Sequence, residues 1–239
     1  LKELESVLTD FQVIVAQKDK QEVPLQQQEA LSLVGRIEED MIDGFPFDVP
    51  AQYADRPLLK GRATVDMLVK IKDNANTDGG VLKIVLDGYN APVSAGNFAD
   101  LINLGFYDKM PIQRSDGFVV QSGKPKGGDG FKLGGVERTV PLEIMVQGDK
   151  VPEYELTLEE LGRYRDQPVL PFNAFGTLAM ARREAEPNSA SSQFFFLLRE
   201  SELTPSGPNL LDGRYSIFGY VVENTELLRA PKVEADINS

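Results

Sequence analysis

The stretch that decides the fold is Gly-Phe-Tyr-Asp-Lys-Met-Pro-Ile-Gln-Arg-Ser-Asp-Gly-Phe-Val-Val-Gln-Ser-Gly-Lys-Pro, residues 105–125. Within it, Arg114 lies just ahead of the strand-like run Phe118-Val119-Val120-Gln121. A cation, an aromatic ring and an amide can thereby reach one wall of a sheet. We therefore expect an arginine held against an apolar surface in a fold built mainly of strands.

The composition excludes several kinds of site. The chain has 239 residues, a net charge of −12, and no cysteine, histidine or tryptophan. A Ser-His-Asp triad, an imidazole base, a thiolate nucleophile and an ordinary zinc site are all excluded. No cofactor or metal is expected. Nucleic acid is not expected as a partner because no basic stripe is available to meet phosphate, and no apolar run is long enough for membrane insertion.

The first 43 residues are predicted to be helical. Three-then-four spacing marks two apolar stripes, Leu1, Leu4, Leu8, Phe11 and Val15, and then Ala30, Val34, Ile37 and Met41. Pro24 either begins a second helix or kinks one long helix. Two such segments cannot bury their stripes alone, so we interpret residues 1–43 as part of a helical bundle. Residues 44–60, with three prolines, are predicted to be a linker.

From residue 61 to residue 239 the pattern is that of short strands. Alternating apolar residues at 65–71 and 82–86 predict a hairpin, and Pro92 begins a helix that Gly105 ends. Further strands are expected at 110–114, 118–122, 177–181, 194–198 and 215–221. Residues 124–172 form an insertion in which Thr157 and Glu160 make a capping box before a short helix. Such a pattern indicates an antiparallel barrel or sandwich.

The chemistry open to such a site is rotation about an X-Pro amide bond. The barrier is about 18–20 kcal/mol, and crossing it needs no acid, base or nucleophile. When the amide twists, its nitrogen regains a lone pair, and a guanidinium that donates to that nitrogen binds the twisted state better than either planar isomer. A chain without histidine or cysteine can therefore run this reaction, with an apolar pocket to hold the proline ring.

Five blocks of sequence, in order, resemble the cyclophilin family over roughly residues 62–239. The first is the 105–125 stretch, similar to the family's Phe-His-Arg and Gly-Phe-Met-Val-Gln-Gly-Gly. The others are Asn90-Ala91-Pro92-Val93-Ser94-Ala95-Gly96-Asn97-Phe98, Gly176-Thr177-Leu178-Ala179-Met180-Ala181, Ser192-Gln193-Phe194-Phe195 and Leu210-Leu211-Asp212-Gly213-Arg214-Tyr215-Ser216-Ile217-Phe218-Gly219. The resemblance implies a mainly β fold, a cyclophilin-type antiparallel β-barrel with two or three short helices, and peptidyl-prolyl cis-trans isomerase activity.

The resemblance also implies roles for individual residues. Arg114 corresponds to the catalytic arginine and Gln121 to the glutamine beside it, which can orient the guanidinium or hold the peptide carbonyl. The proline pocket corresponds to Phe118, Val119, Phe195, Leu211 and Tyr215, and the groove for the preceding residues to Ala181 and Gln193. Leu210 is also predicted to contact substrate, and it replaces a tryptophan that lines the family's inhibitor site. Three further positions depart from the family: Tyr215 replaces a histidine, Val119 replaces a methionine, and Arg182 replaces an asparagine. We therefore expect weak or reduced isomerase activity.

Within the family, the chain resembles the large thylakoid-lumen type. The motifs that carry this resemblance lie at residues 37–46, 138–144, 158–162 and 171–176. It implies a location in the thylakoid lumen and a role in folding and assembly of photosystem II. The implied partners are proline-containing segments, such as lumenal loops of photosystem II subunits. The alternative is a non-catalytic assembly chaperone or regulatory module that binds peptides in the same groove.

Two further expectations concern the arrangement of the chain. The helical segment is expected to contact the barrel. Residues 233–239 are expected to reach only the start of the family's last barrel strand, so that the strand which closes the barrel beside the first strand would be missing.

Overall fold

The structure, a computed structural model, describes residues 1–71, 78–199, 209–229 and 236–238. It divides into two compact units, Leu1–Pro46 and Phe47–Ser239. Most of the turn predicted between the first two strands, at residues 73–80, lies outside the described residues. Among the helices that are described, none combines the length and apolar character needed to cross a membrane.

The first unit consists of two helices, α1 (Lys2–Gln17) and α2 (Glu22–Asp40). Pro24 is the third residue of α2, so it begins a second helix and does not kink a single long one. The unit buries only Val7, Ala30 and Leu33, with Leu4 packed against them. Most of the predicted stripe is exposed instead, because two helices offer each other only one narrow seam.

The second unit is built mainly from short strands and one helix. Its elements are β1 (Arg62–Lys70), β2 (Gly79–Asp87), α3 (Pro92–Asn103), β3 (Met110–Pro111), β4 (Arg114–Ser115), β5 (Val119–Ser122), β6 (Lys132–Leu133), β7 (Val136–Glu137), β8 (Glu143–Ile144), β9 (Glu153–Tyr154), β10 (Thr177–Met180), β11 (Phe194–Leu197), β12 (Ile217–Glu223) and β13 (Asp236–Asn238). The described residues of this unit also form two 3₁₀-helices, Ala51–Tyr53 and Thr225–Arg229.

Nine strands form one antiparallel sheet in the order β3-β13-β1-β2-β12-β10-β11-β5-β4. Its two edge strands, β3 and β4, are separated along the chain only by Ile112 and Gln113. The sheet must therefore curl until its edges approach each other, which gives the barrel-like form that was expected.

The core follows from the period-two pattern of the first hairpin. β1 and β2 pair over their whole length, with Met67 opposite Leu82 and Val65 opposite Ile84. Helix α3 packs Phe98 among aromatic rings of this core, with ring centroids 5.1 Å from those of Phe194 and of Phe218. The predicted hairpin and the predicted helix are both confirmed.

The segment expected to be a linker packs onto the second unit from Phe47 onward. Tyr53 is only 4% exposed, and the backbone N–H of Leu59 donates to the carbonyl of Pro92 at 3.0 Å. Proline fixes its own φ and disfavours helical conformation in the residue before it, and here residues 57–59 lie along α3.

A substitution at Gly96 of α3 tests whether residues 57–58 pack against this helix. A Cβ atom at Gly96 would lie 2.4 Å from the carbonyl oxygen of Pro57. We expect Gly96→Ala to lower the unfolding free energy by about 2–3 kcal/mol, the cost of forced overpacking. The matched control is Gly35→Ala in α2, where nothing lies within 4 Å and the change should stabilise the helix by about 0.5–1 kcal/mol. Urea denaturation followed by circular dichroism measures both, and equal effects would contradict the described contact.

Two expectations about the later chain are wrong. The closing strand is present, because β13 pairs with β1 on one side and with β3 on the other. Three residues are enough to supply ladder hydrogen bonds to both neighbours. The capping box of Thr157 and Glu160 forms, with the Glu160 N–H donating to Thr157 Oγ1. It begins a single turn and not a helix, because Gly162 adopts a positive φ of 71° and ends it.

Candidate functional site

A pocket of about 150 Å³ opens on one face of the curled sheet. Its lining contains every predicted site residue except Gln193 and Leu210, with Arg182 added: Arg114, Phe118, Val119, Gln121, Ala181, Arg182, Phe195, Leu211 and Tyr215.

The register of three neighbouring strands brings the central residues together. Arg114 of β4 lies opposite Gln121 of β5, and Gln121 in turn lies opposite Phe195 of β11. Side chains directly opposite each other in an antiparallel pair point to the same face of the sheet. The guanidinium, the amide and the aromatic ring therefore form one row.

The guanidinium of Arg114 is held by Asp116. Nε and Nη2 of Arg114 lie 2.7 and 2.5 Å from Asp116 Oδ2. Asp116 Oδ1 accepts hydrogen bonds from the backbone N–H groups of Val119 and Phe118, each at 2.9 Å. These backbone hydrogen bonds, together with Arg114, lower the pKa of Asp116 to about 2, so its carboxylate is charged at neutral pH. The Nη1 donors of Arg114 have no partner among the described residues.

Sequence reasoning did not identify Asp116 as part of the site. The signal was present, since an aspartate in a Ser-Asp-Gly turn between two strands commonly accepts hydrogen bonds from the backbone two and three residues later. Here that turn also fixes the arginine.

Aromatic rings form the floor of the pocket. The ring of Phe195 stacks parallel to that of Phe172, with centroids 5.9 Å apart, and meets the ring of Tyr215 edge-on at 5.6 Å. Phe172 comes from the end of the insertion and is completely buried. No role was predicted for Phe172, although residues 171–176 belong to one of the motifs that carry the resemblance. The insertion therefore supplies the layer beneath the pocket.

The loop that carries Leu211 is tied to the same segment. Asp212 accepts hydrogen bonds from the backbone N–H groups of Phe172 at 2.8 Å and of Asn209 at 3.0 Å. The side-chain amide of Asn209 donates to the carbonyl of Phe172 at 3.0 Å. Burial raises the pKa of the Asp212 carboxyl, although both backbone donors oppose this shift. Leu211 and the pocket floor are therefore positioned together.

Gln193 lies beside the pocket and Leu210 lies away from it. Gln193 lines an adjoining pocket of about 270 Å³, and its Oε1 accepts a hydrogen bond from Gln121 Nε2 at 3.0 Å. The amide of Gln121 thus donates to Gln193, whereas the prediction had Gln121 orienting Arg114 or holding the peptide. Leu210 is 85% exposed and lines a different pocket, beside Leu158. A leucine here does not reach the proline pocket because its side chain faces solvent.

Arg182 forms part of the rim. Its guanidinium carbon lies 4.7 Å from the centroid of the Tyr215 ring. Its Nε donates to the carbonyl of Arg214, and its Nη1 to the carbonyls of Arg183 and Glu184, at 2.8 to 2.9 Å. This side chain is therefore fixed against the aromatic wall, and it belongs to both adjoining pockets.

A buried carboxylate, Glu143 of β8, lies behind the site. It accepts hydrogen bonds from the backbone N–H groups of Val93 and Ser94, at 3.2 and 2.9 Å, and from Tyr154 Oη at 2.9 Å. The first two lie at the start of α3, so this residue of the insertion caps the helix. Glu143 and Tyr215 both line a small cavity of about 10 Å³, and Tyr215 also lines the proline pocket.

Glu143 should make stability depend on pH. Burial raises its pKa from 4.5 to about 7. The folded state therefore binds this proton more tightly than the unfolded state, and the resulting stabilisation is fully present below pH 4.5 and lost as the pH rises through 7. We expect the difference in unfolding free energy between wild type and Glu143→Gln to fall by about 3 kcal/mol from pH 4.5 to pH 8. Denaturant titrations across this range measure it, and a constant difference would contradict the shift.

Comparison with known proteins identifies the class. The family model described as "Cyclophilin type peptidyl-prolyl cis-trans isomerase/CLD" matches residues 69–236. A second model, "Peptidyl-prolyl cis-trans isomerase CYP38-like, PsbQ-like domain", matches residues 1–42. The first match covers more than half of the chain, and the chain therefore belongs to the cyclophilin family of peptidyl-prolyl cis-trans isomerases.

Three relatives carry the comparison further. The chain is 59% identical over 242 residues to the chloroplastic peptidyl-prolyl cis-trans isomerase CYP38 of Arabidopsis thaliana, covering 100% of this chain and 55% of the relative. It is 48% identical to a Synechocystis protein whose name provisionally assigns it to the thylakoid lumen as a peptidyl-prolyl cis-trans isomerase, covering 94% and 59%. Chloroplastic CYP37 of Arabidopsis thaliana is 33% identical, covering 90% and 46%. The chain thus spans about half the length of these relatives.

Proposed function

We propose that this chain catalyses cis–trans isomerisation of X-Pro bonds in extended polypeptide segments. The observation that supports this most strongly is the placement of the Arg114 guanidinium on the same pocket as the rings of Phe195 and Tyr215. Membership of the cyclophilin family agrees with this proposal.

The chemical contribution of Arg114 is to stabilise the twisted amide. Asp116 holds Nε and Nη2, which leaves the Nη1 donors available for the prolyl nitrogen of a bound peptide. In the planar amide the nitrogen lone pair is delocalised and accepts no hydrogen bond, whereas in the twisted amide it does. The interaction is thus stronger in the transition state than in either ground state, which is the condition for catalysis. The ion pair with Asp116 keeps the guanidinium in place before substrate arrives.

The pocket contributes binding and exclusion of water. Phe195 is 6% exposed and stacks on the buried ring of Phe172, so the floor is rigid and apolar. A proline ring placed on this floor would bury its apolar surface at about 25 cal/mol per Å². Binding of the ring would also align the preceding amide with Arg114.

Exchange NMR on a short proline peptide tests the proposal. With a small molar fraction of protein, cross-peaks between the cis and trans forms of the peptide should grow with protein concentration, because the uncatalysed exchange takes tens of seconds or longer. A protein that only binds would shift or broaden the peptide resonances without adding exchange. Absence of added exchange at every protein concentration would overturn the catalytic function.

The second candidate is a peptide-binding module that uses the same groove without turnover. The specific observation in its favour is that the Gln121 amide donates to Gln193, so the Arg114 guanidinium depends on Asp116 alone among the described side chains. Such a module would act as an assembly chaperone or a regulatory element.

We further propose that the chain acts in the thylakoid lumen on photosystem II subunits. The names of the relatives, chloroplastic for two and thylakoid lumen for the third, support the location. The photosystem II clients are supported by the resemblance of residues 37–46 and 138–144 to the large thylakoid-lumen cyclophilins. Co-purification of the chain with lumenal loops of photosystem II subunits, compared with loops whose prolines are replaced, tests this assignment.

A further inference from the structure

The charges around the two adjoining pockets are almost all paired. Arg114 is paired with Asp116 in the first pocket. In the second, Asp129 is paired with Lys124, and Arg183 with both Glu137 and Glu186. Among the described residues that line either pocket, only Arg182 is an ionised side chain without an oppositely charged partner within ion-pair distance.

The guanidinium of Arg182 is also pre-organised. Three of its five N–H donors are used by backbone carbonyls, through Nε and Nη1. The plane is held over the Tyr215 ring. The two donors on Nη2 have no partner among the described residues. Because the Arg182 side chain is already fixed, binding of a carboxylate at Nη2 does not include the entropy cost of ordering a long arginine side chain.

The position of Arg182 determines which peptide residues can reach it. In the proposed mechanism the prolyl nitrogen lies against Arg114, and the preceding residue is bonded to that nitrogen. Gln121 lines both pockets, as do Ala181 and Arg182. The chain that leads into the proline can therefore run past Gln121 into the second pocket. One extended residue spans about 3.3–3.6 Å, so the residues one and two before the proline pass the rim.

We propose that Arg182 is a specificity-determining residue that favours substrates with an aspartate or glutamate one or two residues before the proline. The inference rests on the proposed function and adds the chemical class of its substrate. The rest of the chain opposes such a preference, since the net charge is −12. At an ionic strength near 0.1 M, charges beyond about 10 Å are screened, so the charges at the rim outweigh the net charge of the chain.

Two series of peptides test this. Each peptide contains one proline, and glutamate, glutamine or lysine occupies the position one or two residues before it. We expect the glutamate peptide of at least one series to bind about fivefold more tightly than its glutamine counterpart, the factor for a partly exposed ion pair, and the lysine peptide to bind more weakly. Arg182→Gln should remove this preference, and raising the salt concentration should reduce it in the wild-type protein. The control Lys126→Gln removes the same charge from an exposed site that lines neither pocket, and it should keep the preference.

The outcomes separate this inference from the proposed function. Equal affinities within each series for the wild-type protein, or a glutamate preference that survives Arg182→Gln, would overturn the inference. If the peptides are isomerised but bind with equal affinity within each series, the inference fails and the catalytic function stands. If none is isomerised but glutamate peptides bind in an Arg182-dependent way, the catalytic function fails and the inference stands. If Arg182→Gln misfolds, the affinities of the wild-type protein for the peptide series and their dependence on salt still decide whether the glutamate preference exists.

Discussion

Replacing Arg114 with alanine should lower kcat/KM for isomerisation of a proline peptide by about 100-fold. This is the loss expected when one pre-organised donor to a transition state is removed. The ground-state amide nitrogen accepts no hydrogen bond, so peptide affinity should change far less than the rate. Exchange NMR gives the rate and a chemical-shift titration gives the affinity in the same samples.

The control for this experiment is Arg165→Ala. Arg165 lies near the ring of Tyr164, with its guanidinium carbon 5.7 Å from the centroid, and lines neither pocket. It should leave both the rate and the affinity unchanged. A rate for Arg114→Ala within twofold of an active wild-type protein would contradict the role given to the guanidinium, whereas a wild type and a variant that are equally inactive would favour the binding module.

Replacing Phe172 with alanine should lower the unfolding free energy by about 3–5 kcal/mol and abolish most peptide binding. The stability loss is that of removing a fully buried aromatic side chain. The loss of binding follows because the Phe195 ring, which forms the pocket floor, stacks on Phe172. Denaturant unfolding measures the first effect, and a peptide titration well below the unfolding midpoint measures the second.

Phe218→Ala is the matched control for the second effect. Phe218 is also fully buried, but it packs against Phe98 in the main core and away from the pocket. It should cost similar stability and retain peptide affinity. If both variants lose peptide affinity equally, the pocket floor does not depend specifically on Phe172. The insertion would then not support the pocket in the way described.

The site residues that lie on strands could be predicted from the sequence, because short strands are visible in its alternating pattern. Arg114, Gln121 and Phe195 belong to short alternating segments, and the order of the five motifs places these segments as neighbours. The structure brings the three side chains into one row. Asp116 was within reach of the same reasoning, because its turn chemistry is local.

The parts that depend on tertiary contacts could not be predicted. Nothing in the local pattern says that Phe172 stacks beneath Phe195, or that Leu210 faces solvent. The prolines of residues 44–60 are as compatible with a free linker as with a segment packed along α3. More residues of the helical stripes were predicted to be buried than the structure buries. Periodicity identifies which residues are apolar, but it does not show how many neighbouring elements cover them. The expected contact between the helical segment and the barrel stays a prediction.

The most direct test of the account is the position of a bound proline ring. Intermolecular nuclear Overhauser effects between a proline peptide and the protein report which side chains lie within about 5 Å of the ring. We expect contacts from the prolyl ring protons to the aromatic protons of Phe195 and Tyr215, and loss of those contacts in Phe172→Ala. Contacts to any other surface, with none to Phe195 or Tyr215, would contradict it.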